Sequence, residues 1–201
     1  MQDQWMKLPG YRYADYLLVL SPHQDLRNRI HGVRKELSDA YQIPATGGKP
    51  HVLLATFTVW EMMEEKILNR LKVVAMGTTP FKVMLKDFGS FPTHSIYINV
   101  TTKIPVQELV RQIRSAQRLM KSVEKDPYFV SAPYIPLVRK LSAPQYDNAW
   151  LEYSHKHFTA SFIADGMLLL KKRSDEKNFQ IVQRLEFMNL PVNTRQGALF
   201  M

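Results

Sequence analysis

The sequence predicts an α+β chain of two pseudo-symmetric lobes, each a mainly antiparallel sheet with helices outside, facing one another across a central groove. Three observations predict it. Strand-like apolar runs alternate with stretches whose apolar residues recur every three or four positions, so strands and helices are interleaved. Neighbouring strand-like runs are joined by turn residues, which suits hairpins. The element order also occurs twice: a helix, a strand opening on Pro-X, a second helix, then paired strands. The two Pro-X pairs are Pro50-His51 and Pro133-Tyr134, and 134 − 51 = 83 residues separate them. No residue-by-residue repeat accompanies this order, so the duplication is one of architecture.

The first half opens on a buried strand, Tyr16 to Leu20. Ser21-Pro22 then supplies an N-cap and a first-turn proline. Leu26, Ile30, Val33 and Leu37 follow at helical spacing, predicting a helix to about Tyr41. Ile43 to Pro50 holds two prolines and Gly47-Gly48 and is a loop. His51 to Thr58 is the second strand. Met63, Ile67, Leu71 and Val74 mark a helix ending near Gly77. Phe81–Phe88 and Ser95–Thr101 form a hairpin connected through Gly89 to Thr93.

The second half begins with a long helix from Pro105, carrying Val106, Leu109, Val110, Ile113 and Leu119. Asp126 to Pro133 is a loop before the strand Tyr134–Lys140. Ala143-Pro144 opens a short helix through Trp150 and Tyr153. Phe158–Ile163, Met167–Lys171 and Phe179–Phe187 close the fold as strands. Residues 1–190 thus make one two-lobed domain, with lobes at roughly 15–104 and 105–190 and room for strand exchange. Residues 191–201 have no periodicity and form a loose tail.

Composition narrows the function classes. With 45% hydrophobic and 22% charged residues, the chain is globular rather than disordered. It has no cysteine, which removes disulfides and thiolate zinc sites and suits a reducing cytoplasm. The first apolar run, Tyr16–Leu20, is too short for a leader or a membrane span, so a soluble, non-exported chain is expected. The net charge of +9 favours polyanionic partners such as RNA or small nucleotides. His155 and His157 lack carboxylate or cysteine partners at metal-like spacing, and no metal or other cofactor is expected. Gly47-Gly48-Lys49 lacks the rest of a P-loop and is a turn before the His51 strand.

Certain segments carry a family resemblance: Lys49 to Phe57 (KPHVLLATF), Phe88 to Pro92 with Ile96 to Val100, and Pro133 to Leu141 (PYIPLVRKL). On these the chain resembles the two-histidine phosphoesterase superfamily, in particular its 2′-5′ RNA ligase-like branch, from Tyr16 to about Leu190. The resemblance implies two His-x-Thr/Ser motifs, one per lobe. One histidine takes the proton of the attacking hydroxyl and the other protonates the leaving oxygen. Imidazole suits both roles because its pKa lies near neutrality. The hydroxyl two residues on lies on the same strand face and can donate to a phosphate oxygen.

Of these four groups only His51 is present. Leu53 stands at the first hydroxyl position, Tyr134 at the second histidine and Pro136 at the second hydroxyl. A phenol of ordinary pKa about 10 is a poor base at neutral pH, although it can donate a proton. The candidate catalytic residues are therefore His51 and Tyr134. The candidate ligand-binding residues are Leu53, Pro136, Tyr97 on the flanking hairpin, and Lys140. By strict alternation Lys140 shares the face of Tyr134 and Arg139 does not, and Thr56 and Thr58 face away from His51. Two functional readings stay open. One is a phosphodiesterase using His51 with Tyr134. The other is a descendant with reduced or lost chemistry that binds a nucleotide or RNA in the groove, or serves as an interaction domain.

Overall fold

The structure, a computed structural model, describes residues 11–43, 47–123 and 125–190. The 191–201 tail lies outside the described residues.

The first half runs β1 (Tyr13–Leu20), α1 (Gln24–Tyr41), β2 (Val52–Trp60), α2 (Glu64–Gly77), β3 (Phe81–Phe91) and β4 (Ser95–Val100). The second runs α3 (Lys103–Ile113), α4 (Gln117–Met120), β5 (Tyr128–Phe129), β6 (Tyr134–Arg139), α5 (Ala143–Tyr153), β7 (Thr159–Ala164), β8 (Gly166–Arg173) and β9 (Gln180–Glu186). The five-stranded sheet has the order β5-β2-β1-β8-β9 and the four-stranded sheet β6-β4-β3-β7. Every strand pairing is antiparallel. The α+β, two-lobed architecture expected from the sequence is present.

Each sheet draws strands from both halves of the chain. The pairing nevertheless repeats: β2 pairs with β1, the strand before α1, and β6 pairs with β4, the strand before α3. The helices are exchanged, since α1 packs on β6 and α3 packs on β2. The outer sheet faces and the apolar stripes of these helices form the core, which includes Tyr16, Leu18, Leu54, Phe57, Ile135 and Leu137. The exchange ties the two motif strands to the same core, because each is covered by a helix from the opposite half.

Several boundaries differ from expectation for identifiable reasons. Helix α1 is entered through His23, whose carbonyl accepts the Arg27 N–H at 3.0 Å, and not through Ser21. The Ser21 hydroxyl is occupied instead by the Arg27 guanidinium at 3.1 Å. The long helix of the second half is broken by a tight turn, Arg114–Ala116, into α3 and α4. The stretch 126–133 contains a two-residue strand, β5, recruited to the free edge of β2 and too short to leave a periodicity. Gly89 and Ser90 belong to the β3 ladder, opposite Tyr97 and Ile96. At the start of α5, Ser142 and Gln145 form a capping box, with Pro144 in the first turn.

Candidate functional site

β2 and β6 approach each other between the sheets. Around them lies a cavity of about 670 Å³ whose lining includes His51, Leu53, Tyr134 and Pro136. The four positions singled out by the sequence thus meet in one space. A second depression, at Arg70, Val73, Gly77 and Gln112, holds none of them.

Each motif strand carries a bulge at the same offset. In β2, Leu53 pairs with Val19 and Ala55 with Leu18, which leaves Leu54 as the extra residue. In β6, Pro136 pairs with Tyr97 and Val138 with Ile96, which leaves Leu137 as the extra residue. The offsets are equal: 54 − 51 = 3 and 137 − 134 = 3. An extra residue shifts the alternation by one from that point on.

Two face assignments made by alternation are corrected by these bulges. Beyond Leu54 the groove face passes to Thr56 and Thr58, whose partners across β1 are Leu17 and Asp15. Thr56 therefore lies on the side of His51, although it is not among the residues lining the cavity. Thr58 is held by Asp15, to which its hydroxyl donates at 2.7 Å. Beyond Leu137 the groove face passes to Arg139, which lines the cavity, whereas Lys140 does not. Lys140 is exposed and sits at φ 58°, where the chain turns out of the strand.

The His51 ring is half-buried, and its Nδ1 lies 2.8 Å from the carbonyl oxygen of Lys49. A carbonyl only accepts, so Nδ1 carries the proton and Nε2 is left as the acceptor of the neutral ring. Burial holds the imidazole below its ordinary pKa, the bond to Lys49 opposes this, and the fields of Arg34 and Arg139 add to the lowering. The ring is thus neutral at neutral pH and able to accept a proton.

Tyr134 lines the same cavity from β6. Its ring packs 4.8 Å from Tyr97 and 5.3 Å from Phe91, centroid to centroid, and Phe91 and Tyr97 touch at 4.8 Å. These three aromatics make a step leading out of the cavity along the four-stranded sheet. Tyr97 lies on that step rather than in the lining itself. Burial, then the neighbouring Tyr134, pushes its phenol pKa upward.

The charged groups that line the cavity are Arg27, Arg34, Lys49, Arg139 and Lys177, with no carboxylate among the described lining residues. Arg34 is the buried one, 4% exposed. It donates from Nε and Nη2 to the carbonyl of Pro136, at 3.2 and 2.8 Å, and from Nη1 to the carbonyl of Gly48 at 2.9 Å. Burial, then the nearby Arg139, pulls its pKa down to about 10. One sequence feature could have found it: Arg34 stands four residues after Ile30 and three before Leu37, on the buried stripe of α1. A charge there needs partners. Arg139 was missed because the bulge is invisible to alternation.

The cavity floor is the inner face of the five-stranded sheet, with Leu17, Val19, Leu53, Leu168 and Leu170. Among the described residues no cluster of three or more His, Cys, Asp or Glu side chains is placed to hold a metal ion. Among them, too, no helix is long and apolar enough to cross a membrane.

Comparisons with known proteins bear on the family and the fold. The family model of the 2′-5′ RNA ligase superfamily matches residues 22–176. A Bacillus cytotoxicus protein named "Putative phosphoesterase" is 25% identical over 161 residues, 79% of this chain and 89% of its own length. The crystal structure of Escherichia coli LigT complexed with 3′-AMP superposes with a TM-score of 0.64 at 14% identity, over 88% of this chain and 99% of that one. The crystal structure of TT0787 of Thermus thermophilus superposes at 0.61 and 13% identity, over 87% and 98%. These last two likenesses are of fold.

Proposed function

The chain belongs to the 2′-5′ RNA ligase superfamily, and on that premise we propose that its groove holds the phosphate of a nucleotide or RNA end while carrying little phosphodiester chemistry. The observation that carries the proposal is the lining. It has five cationic side chains, no carboxylate among the described residues, and a single imidazole.

The cations take the anion. Arg139 is exposed at the mouth and Arg34 is fixed by three hydrogen bonds. In a partly dehydrated cleft such charges act more strongly than in water. LigT has been crystallised with 3′-AMP and with ATP, which supports a small nucleotide as ligand. The +9 charge extends the attraction to RNA.

The chemistry is short of parts. His51, with Nε2 as acceptor, can serve as a base. Proton delivery to the leaving oxygen then falls to the Tyr134 phenol, which is packed among aromatics. Neither Leu53 nor Pro136 offers a side-chain donor, and one lost donor at a developing oxyanion costs roughly 10²–10³ in rate.

The test has two arms. Binding of 3′-AMP and of a labelled oligonucleotide is measured at low and moderate salt. Affinity that is present at low salt and falls as salt rises supports the groove reading, and absence at low salt refutes it. Hydrolysis of a 2′,3′-cyclic phosphate is measured in wild type and His51→Ala. Little turnover in either is expected. Robust turnover that disappears in His51→Ala identifies an active phosphodiesterase instead.

A further inference from the structure

We infer that the preferred ligand of the groove is amphipathic: a phosphate ester whose body is an aliphatic chain, such as an isoprenoid or alkyl phosphate. The inference rests on the reading of the groove as a phosphate-binding site and adds what the rest of the ligand must be.

The strand register sets the shape of the floor. Tyr128, Thr56, Leu17, Leu170 and Ile181 are successive cross-strand partners from β5 to β9. Four inter-strand steps of about 4.8 Å make this row roughly 19 Å long. Beside it runs a second row, Leu53, Val19 and Leu168. The first row ends at Tyr128 and Ile181, which are 54% and 58% exposed although both line the cavity. Phe179, from the β8–β9 connection, closes over the same end as Ile181.

The charges are placed differently. Arg27, Arg34, Lys49, His51 and Arg139 come from α1, the segment before β2 and the end of β6. These five lie at the end of the sheet where β1 finishes and β2 begins, while the remaining lining cation, Lys177, stands at the opposite end in the β8–β9 connection. Four of the five lining cations thus gather with His51 at one end of a largely aliphatic floor. Apart from the Tyr128 hydroxyl at its edge and Thr56, which does not itself line the cavity, the floor's leucines, valine and isoleucine offer no side-chain hydrogen bond, so the polar edges of a nucleobase placed on them would lose water without replacement. An alkyl chain has no hydrogen bonds to water to lose and gains by burial. Apolar walls with a few convergent polar groups are the usual form of a small-molecule site.

The experiment is calorimetry on the full chain with dimethylallyl, geranyl and farnesyl monophosphates below their aggregation concentrations, and with geraniol and 3′-AMP. Affinity is expected to rise by roughly tenfold or more for each isoprene unit that seats on the floor. Geranyl phosphate should exceed both geraniol and 3′-AMP by about tenfold or more. In Leu17→Asn/Leu170→Asn the chain-length dependence should flatten. Should that variant fail to fold, the wild-type chain-length series decides alone. An affinity independent of chain length, or 3′-AMP binding tighter than geranyl phosphate, overturns the inference and leaves the phosphate-binding groove standing. If neither 3′-AMP nor any prenyl phosphate binds, both fall.

Discussion

Arg34 donates twice to the carbonyl of Pro136, at 3.2 and 2.8 Å, and once to the carbonyl of Gly48 at 2.9 Å. A single side chain on α1 thereby joins the second-motif strand to the loop that leads into His51. Pro136 has no N–H, so its carbonyl is the only backbone group it can offer, and Arg34 takes it. The clamp bridges two sheets, because β2 and β6 belong to different ones.

Replacing Arg34 by Ala should lower unfolding free energy by about 2–4 kcal/mol, since hydrogen bonds to a charged group are worth roughly 1.5–3 kcal/mol each and the Pro136 carbonyl is left buried. Arg34→Lys keeps the charge but not the fork, and should fall between the two. Urea unfolding of the three proteins checks the order.

The His51 imidazole should titrate below 6.5 in the folded protein, because burial and the fields of Arg34 and Arg139 outweigh the bond to Lys49. The unfolded chain then takes up the proton first. This contribution to stability is complete above the unfolded value near 6.5 and is lost as pH falls below it. NMR titration of the ring should show the low value. Adding inorganic phosphate should move it up, as an anion favours the charged ring, and so should Arg139→Ala. A ring that titrates at or above 6.5 contradicts the assignment.

Leu53→Thr, Tyr134→His and Pro136→Thr together should raise hydrolysis of a 2′,3′-cyclic phosphate above wild type, and by more than any one alone. A positioned acid–base group supplies roughly 10²–10⁴-fold. Adding His51→Ala to the triple variant should remove the gain. A folded triple variant that stays inert would show that these four positions no longer align on a phosphate.

Gly89 faces Tyr97 across the hairpin, and a Cβ there would stand 2.5 Å from the Tyr97 ring and 2.8 Å from the Asn99 side-chain oxygen. Gly89→Ala should therefore destabilise by about 1–3 kcal/mol and pull Tyr97 away from Tyr134. Gly32→Ala is the contrast. It is exposed within α1 with nothing near its Cβ, and should stabilise by about 0.5–1 kcal/mol. Thermal melts read both.

The sequence alone settled the element order, the α+β class and the two motif positions 83 residues apart, because periodicity and turn chemistry are local properties. It also determined what the site lacks, since Leu53, Tyr134 and Pro136 are legible as residue types. Which side chains share the groove depended on how the strands paired. Leu54 and Leu137 are ordinary apolar residues, and nothing in their identity announces a bulge. Each is unpaired because its strand is one residue longer than the partner segment it must match, and that is known only when the strands pair. The extra residue reverses every later face, so Arg139 enters the cavity and Lys140 leaves it. The exchange of α1 and α3 between the sheets was equally hidden. It depends on contacts between distant segments, and through it a residue of the first helix, Arg34, came to hold the strand of the second motif.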